Sequence, residues 1–441
     1  MSPRPPKPDY RRRAGGAPRP AGSAGSAGSA GPKARPRPVD DPLVGTEVEV
    51  EVGPVAHGGH CVARHEGRVI FVRHALPGER VRVLVTEGRV KDSYLRGDAV
   101  AVLEAVPERV TPPCPYAGPG RCGGCDFQHV ALSHQRVLKT AVVREQFRRL
   151  AGLEVDVEVE PVPGDEEGLR WRSRVEFAVD AQGRAGLRAH RSHDVIPLDD
   201  CLIAGHRVIE SGVLGTTWTG CRGVDVVAAD IPDDAVLIPL PEGRVPRVGQ
   251  RVVTPMWSGE FELQARGFWQ VHPGAAPTFV THVLAELDPR PGERALDLYA
   301  GVGLFALALA DAVGEDGAVL AVEGDERAVD DGIANASGHP QVEFRAGSVD
   351  DVLAVLREQG IGTDLVVLDP PRTGAGRAVI EDLVTLGARA IAYVACDPAA
   401  LARDTAYLLA GGYRLRSLRA FDAFPMTHHV ETIAVFEPHA T

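Results

Sequence analysis

The 441-residue chain carries 48 Lys and Arg against 60 Asp and Glu, a net charge of −12. That length accommodates two or three cores, and no run of 18 apolar residues exists to cross a bilayer. Without an apolar leader segment at the N-terminus a soluble, cytoplasmic protein is expected, and its seven cysteines then point to metal binding or catalysis, not to a disulfide framework.

Residues 1–40 are rich in Pro, Arg, Gly and Ala, include AGSAGSAGSAG, and are expected to form a disordered tail. Seven Arg and two Lys against two Asp give this tail about +7 and leave roughly −19 on the rest. A polyanion partner and a solubilising arm both fit that asymmetry. Residues 41–105 alternate polar and apolar in TEVEVEV, GRVIFVRHAL, GERVRVLVTE and GDAVAVLEA. Short strands punctuated by Gly predict a small OB-like β-barrel, a fold that commonly binds RNA on an exposed face.

Residues 106–270 read as a central α+β domain. It opens on a Gly/Pro loop with Cys114, Cys122 and Cys125, continues in a helix over about 130–151, and is mostly β from 155 to 265. The C-x7-C-x2-C spacing gathers three soft donors. Cys201 in LDDCLIAG is the best fourth, with Cys221 as the fallback, and an iron–sulfur cluster or a structural zinc would suit the set. Arg170, Arg172, Arg174, Arg184, Arg188 and Arg191, with Trp171 among them, suit gripping a nucleic-acid backbone and stacking bases, or an ordinary solvated strand face.

Residues 271–441 switch to a βαβ period, which predicts an open, doubly wound sheet. DLYAGVGLFALALA puts Asp297 and Tyr299 near a strand end, Gly301 and Gly303 in the turn, and a helix directly after. Glu323 closes the next strand 20 residues beyond Gly303, where an acid can bind ribose hydroxyls. The dinucleotide fingerprint's third glycine is missing, and Asp297 would repel a diphosphate but suit a cationic amino group. S-adenosylmethionine therefore fits better than a nicotinamide cofactor. Cys396 in IAYVACDP lies 27 residues after Asp369 of LVVLDPPR and 35 before Glu431 of FPMTHHVET. A cysteine at a strand's carboxyl end, with a carboxylate able to act as base, suits nucleophilic attack on an electron-poor ring. A small buried hydrophobe is the alternative. His428 and His429 would orient the base, meet phosphate, or simply be solvated.

Taken in order, GPVAHGGHCVARHEGRVIFVRHALPGE, CPYAGPGRCGGCDFQH, GFWQVHP, LDLYAGVGLFAL, VLDPPR, VACDP and FPMTHHVET resemble the motifs of the RNA uridine-5-methyltransferases, which make 5-methyluridine in tRNA and 23S rRNA; the resemblance spans about residues 41–437. It implies a multidomain α/β protein: an N-terminal TRAM barrel that binds RNA, a central domain holding a [4Fe-4S] cluster on Cys114, Cys122, Cys125 and Cys201, and a C-terminal class I methyltransferase domain. The expected partner is structured RNA, and the expected state a monomer. By position, Cys396 would attack C6 of the target uracil and Glu431 would remove the C5 proton. Gln270, Tyr299, Glu323, Ser348 and Asp369 would contact S-adenosylmethionine.

Two departures stand out. The nucleophile motif reads ACDP where the family often has SCNP, which sets Asp397 beside the thiol, and a carboxylate aimed at sulfur would raise its pKa. The C-x7-C spacing is also longer than the common C-x5-C. Cytosine-C5 methylation, radical methylthiotransferase chemistry and a non-catalytic RNA scaffold are the competing readings; the last leaves the Cys396–Glu431 pair unexplained.

Overall fold

The computed structural model describes residues 40–241 and 245–439. The expected basic tail thus lies, but for its last residue, outside the described residues. Five strands close a barrel: β1 (Glu47–Ala56), β2 (His60–His65), β3 (Arg68–Arg73), β4 (Arg80–Glu87) and β5 (Tyr94–Glu104), in the order β1-β2-β3-β5-β4. The period-2 alternation works as read: Val48, Val50 and Val52 of β1 turn inward onto Ile70, Val72, Val81 and Val83, while Glu47, Glu49 and Glu51 face water.

A helix, α1 (Leu132–Gln146), follows and runs on through a π-helical turn at Phe147–Ala151. The next strand, β6 (Val159–Pro161), pairs with a strand more than 250 residues later, as described below. Five strands then form a separate sheet: β7 (Arg174–Val179), β8 (Ala185–Arg188), β9 (Val195–Pro197), β10 (Gly223–Val227) and β11 (Val236–Leu240), in the order β11-β10-β7-β8-β9. A short helix, α2 (His206–Glu210), sits between β9 and β10. A hairpin, β12 (Arg247–Val253) with β13 (Ser258–Gln264), completes the region.

The C-terminal part alternates as expected: α3 (Ala275–Leu287), β14 (Arg294–Leu298), α4 (Leu304–Val313), β15 (Ala318–Glu323), α5 (Glu326–Asn335), β16 (Val342–Ala346), α6 (Val349–Glu358), β17 (Leu365–Leu368), α7 (Gly376–Leu386), β18 (Ala390–Ala395), α8 (Pro398–Ala410), β19 (Tyr413–Asp422) and β20 (Glu431–Pro438). The sheet order is β16-β15-β14-β17-β18-β20-β19-β6. Strands β14 to β18 are mutually parallel, and β20 runs antiparallel to both β18 and β19. Because helices cover both faces, β17 and β18 are buried along their whole length, which is why LVVL and AIAYVA are continuous apolar runs. The short strand β6 adds a parallel edge to β19, and Val143, Phe147, Val157 and Val159 join the core of this sheet.

After β14 the chain winds outward through β15 and β16, then returns to the other side of β14 with β17. Adjacent loops leave in opposite directions at that switch point and open a crevice at the strands' carboxyl ends. No helix among the described residues is long and apolar enough to cross a membrane.

Candidate active site

A cavity of about 1200 Å³ occupies that crevice. Tyr299 and Gly301, from the loop after β14, form part of its wall, with Tyr299 held at φ 63 in the left-handed region. Gly303 (φ 95) starts α4; a Cβ there would lie 2.8 Å from Phe344 Cζ, so only glycine fits the turn. Glu323, the last residue of β15, braces the same loop, its Oε2 accepting from the Gly301 N–H at 2.9 Å and its Oε1 from the Asp325 N–H at 2.8 Å. Ser348 caps α6, its Oγ accepting from the Asp351 N–H at 3.2 Å. Glu323, Ser348, Gln270 and Asp369 all line the cavity.

Asp297 behaves differently from its neighbours. It is fully buried behind the loop, where its Oδ2 accepts from the Ala306 N–H at 2.7 Å and its Oδ1 has no protein partner. Burial holds its carboxyl well above the usual carboxylate range.

The reactive pair is set by register. Strand β20 pairs with β18 so that Thr432 faces Ala395. One further step along the antiparallel ladder brings Glu431 opposite Cys396, and both line the cavity. The loop before Glu431 is clamped by distant segments. The Met426 N–H donates to Gln135 Oε1 at 2.8 Å, and the Met426 carbonyl accepts from the Asp126 and Phe127 N–H groups, each at 3.0 Å. Lys139 Nζ holds the buried Asp422 at 2.5 Å and the Phe424 carbonyl at 3.1 Å.

Burial first, then the Glu431 and Asp369 carboxylates, push the Cys396 thiol up to about 12, with the Arg372 guanidinium opposing them. Burial and Asp369 likewise hold Glu431 well above the usual carboxylate range, again opposed by Arg372. Burial alone raises Asp369 to about 7. Three carboxylic acids and a thiol thus compete for little negative charge, and Arg372 is the cation that favours their ionised forms. The sequence reading quoted DPPR but assigned only its aspartate; the arginine two positions past the strand end was the available signal.

Asp397 does not dominate the thiol. Its Oδ1 caps α8, accepting from the Ala399 and Ala400 N–H groups at 3.0 and 2.9 Å, and it is the weakest of the four charges acting on Cys396. His428 Nδ1 contacts Asp126 Oδ2 at 2.6 Å, and burial drives His429 down to about 3, so neither is a freely solvated loop residue.

The arginine-rich segment needs correction. Trp171 is only 2% exposed and stacks on His272 inside the core of the central region, so it cannot serve as a surface stacking platform. Arg170 is tied to Asp200, Arg184 to Asp180, and Arg174 to the carbonyls of Ala265 and Gly267. Arg172 does reach the cavity wall.

All seven cysteines are free. Burial raises the thiols of Cys122 (to about 11), Cys125 and Cys201, and Cys125 also feels Cys201, Cys122 and Cys114. The Gly124 N–H and Gln128 Nε2 donate to Cys122 and Cys125 Sγ, each at 3.4 Å. Among the described residues no group of three or more His, Cys, Asp or Glu side chains is gathered as a metal site.

Comparison with known proteins gives the chain its place. Residues 42–100 match the TRAM domain, and residues 353–438 match the tRNA (Uracil-5-)-methyltransferase family. The chain is 52% identical over 433 residues to an uncharacterised RNA methyltransferase of Streptomyces avermitilis, covering 90% of this chain and 99% of that one. It is 34% identical over 438 residues to the 23S rRNA (uracil(1939)-C(5))-methyltransferase RlmD of Pseudomonas putida, covering 89% and 94% respectively. Its fold is similar to that of the Pyrococcus abyssi tRNA (uracil-54, C5)-methyltransferase solved with S-adenosyl-L-homocysteine, with a TM-score of 0.64 at 22% identity over 88% of this chain and 100% of that one. On the extent of these matches, the chain belongs to the TRAM-containing, S-adenosylmethionine-dependent RNA (uracil-C5)-methyltransferase family.

Proposed function

We propose that this chain methylates C5 of a uridine in 23S rRNA or tRNA through a covalent adduct on Cys396. The observation that carries the reading is a thiol and a buried carboxylate on adjacent strands, both facing one cavity at the sheet's switch point. S-adenosylmethionine, when bound, supplies an electrophilic methyl group. Gln270, Tyr299, Gly301, Glu323, Ser348 and Asp369 would hold it, with Asp297 and Gly303 shaping the loop from behind. The cavity's volume and its acidic wall suit a cationic nucleoside, and the unpartnered Asp297 Oδ1 leaves negative potential beneath the loop.

Carbon 5 of uracil is too weakly nucleophilic to be methylated unaided. The Cys396 thiolate adds to C6, forming an S–C6 bond and leaving an enolate over C5 and O4, so that C5 can accept the methyl group. Glu431 then takes the proton C5 still carries. The electrons of that C–H bond re-form the C5–C6 double bond, and sulfur leaves with its pair. The charge competition orders these steps. A thiolate and a Glu431 carboxylate oppose each other, but sulfur bonded to C6 carries no charge and releases Glu431 to act as base. A uridine in folded RNA must be flipped out to reach the thiol, at a cost of a few kcal/mol.

The same reading assigns residues 41–105 to RNA binding, 106–270 to a cluster-bearing domain and 271–441 to methyl transfer, in a monomer. Cys114, Cys122, Cys125 and Cys201 would hold a [4Fe-4S] cluster; their all-sulfur donor set and the two donors onto sulfur fit such a group. Its expected role is to brace the RNA-binding region. The deciding experiment incubates purified protein with S-adenosylmethionine and rRNA or tRNA from a deletion strain, then maps modified nucleosides by mass spectrometry. New 5-methyluridine that disappears with Cys396→Ala supports the proposal; 5-methylcytidine, or activity surviving in Cys396→Ala, rejects it.

A further inference from the structure

The turn between β1 and β2, His57–Gly59, reaches from the barrel onto the catalytic loops. His57 Nε2 lies 3.0 Å from Asp397 Oδ2, the carboxylate directly after Cys396. Gly59 lies against His428: a Cβ at Gly59 would be 2.5 Å from His428 Cβ, and its φ of +76 already favours glycine. A second cavity, of about 170 Å³, lies beneath this turn and is bounded by His57, Gly59, Lys139, Arg372, Cys396 and His428. The barrel therefore touches the segments on both sides of the reacting thiol.

Taking Cys396 as the nucleophile, we propose that His57 is a positioning residue. It holds and neutralises Asp397, so that the cap of α8 does not oppose ionisation of the neighbouring thiol, and it thereby links docking of the RNA-binding barrel to readiness of the nucleophile.

The α8 N-terminus favours a thiolate beside it, but a carboxylate at the cap works against that gain. An asparagine would cap equally well without charge. This chain instead keeps the charge and supplies a partner from another part of the molecule. Burial would raise the Asp397 carboxyl, yet the His57 hydrogen bond and the α8 N–H groups outweigh it and hold the group ionised. Asp397 in turn pushes His57 up, against burial; the other charges facing His57 are Glu145 on α1 and Arg149 in the turn after it. The charges facing Cys396 are Glu431, Asp369, Arg372 and Asp397. Because His57 is raised, its charge is fully present at low pH and is lost as pH rises through its shifted pKa.

The test is a double-mutant cycle read at the thiol itself, without RNA or cofactor. Alkylation of Cys396 by iodoacetamide is followed by site-resolved mass spectrometry as a function of pH, in the full-length protein. His57→Ala should slow alkylation about threefold to tenfold and move its pH profile upward, since losing one neutralising charge is worth roughly half to one pKa unit. In an Asp397→Asn background the same change should alter the rate less than about twofold. Gly59→Ala, which displaces the turn but keeps the imidazole, should resemble His57→Ala. His57 is 42% exposed, so thermal melts should show its removal leaves folding intact. Equal slowing in both backgrounds, or no slowing in either, overturns the proposal. Methyl transfer by Cys396→Ala tests the nucleophile separately, so each idea can fail alone.

Discussion

Replacing Asp369 by asparagine should make the protein more stable at alkaline pH while weakening its hold on cofactor. Burial raises this carboxyl from an ordinary value of 3.8 to about 7. A group raised on folding contributes stability that is fully present below its unfolded pKa and is lost as pH climbs through its folded one. At about 1.4 kcal/mol per pKa unit, the three-unit shift corresponds to roughly 4 kcal/mol for a carboxylate sealed from water. Asp369 lines a cavity and is only partly shielded, which brings the expected effect nearer to about 2 kcal/mol. Urea unfolding from pH 5 to 8.5 measures it. The wild type should lose stability relative to Asp369→Asn across the neutral range, and the difference between the two curves isolates this residue from Asp297 and Glu431, which are present in both. The substitution also removes a charge that opposes Cys396 and Glu431, so alkylation of the thiol should quicken. Parallel stability curves, or a variant that is the less stable at pH 8.5, would refute the reasoning.

Glu431→Gln should transfer the methyl group but fail to remove the C5 proton, so a methylated protein–RNA adduct on unmodified substrate should persist in denaturing gels; rapid turnover by this variant would remove Glu431 as the base. Gly303→Ala places a methyl group 2.8 Å from Phe344 Cζ at a left-handed φ, which should cost about 1–3 kcal/mol and lower cofactor affinity in calorimetry, whereas an unchanged melting temperature would show that the turn can relax. Anaerobically purified protein should contain iron and acid-labile sulfide, both lost in Cys125→Ser; stoichiometric zinc in their place would favour the mononuclear alternative.

Much of the site could be read from local sequence because strand ends and loops carry it. DLYAG, LDPPR and ACDP each mark the carboxyl end of a buried apolar strand, and the helix after the cysteine loop ends at Ala151, as its spacing predicts. What stayed hidden depends on long-range packing. Three residues of β6 pair with β19 across the whole length of the protein, and no local pattern marks a strand that short. Trp171 sits among arginines yet is buried, because the pleat sends it inward while its neighbours reach partners elsewhere. Asp297 looks like a ligand contact in the motif, but the turn folds it behind the loop onto the α4 backbone. The His57–Asp397 contact joins residues 340 positions apart and follows from the barrel's docking, which no motif encodes.

The central claim is that Cys396 bonds to C6 of a uridine. Incubation with S-adenosylmethionine and substrate RNA carrying 5-fluorouridine tests it most directly, because fluorine cannot leave as the proton does. The mechanism predicts a stable protein–RNA species whose tryptic peptide carries the methylated fluoronucleotide on Cys396, and which Cys396→Ala does not form. Free methylated product with no trapped species, or a crosslink at another residue, would contradict it.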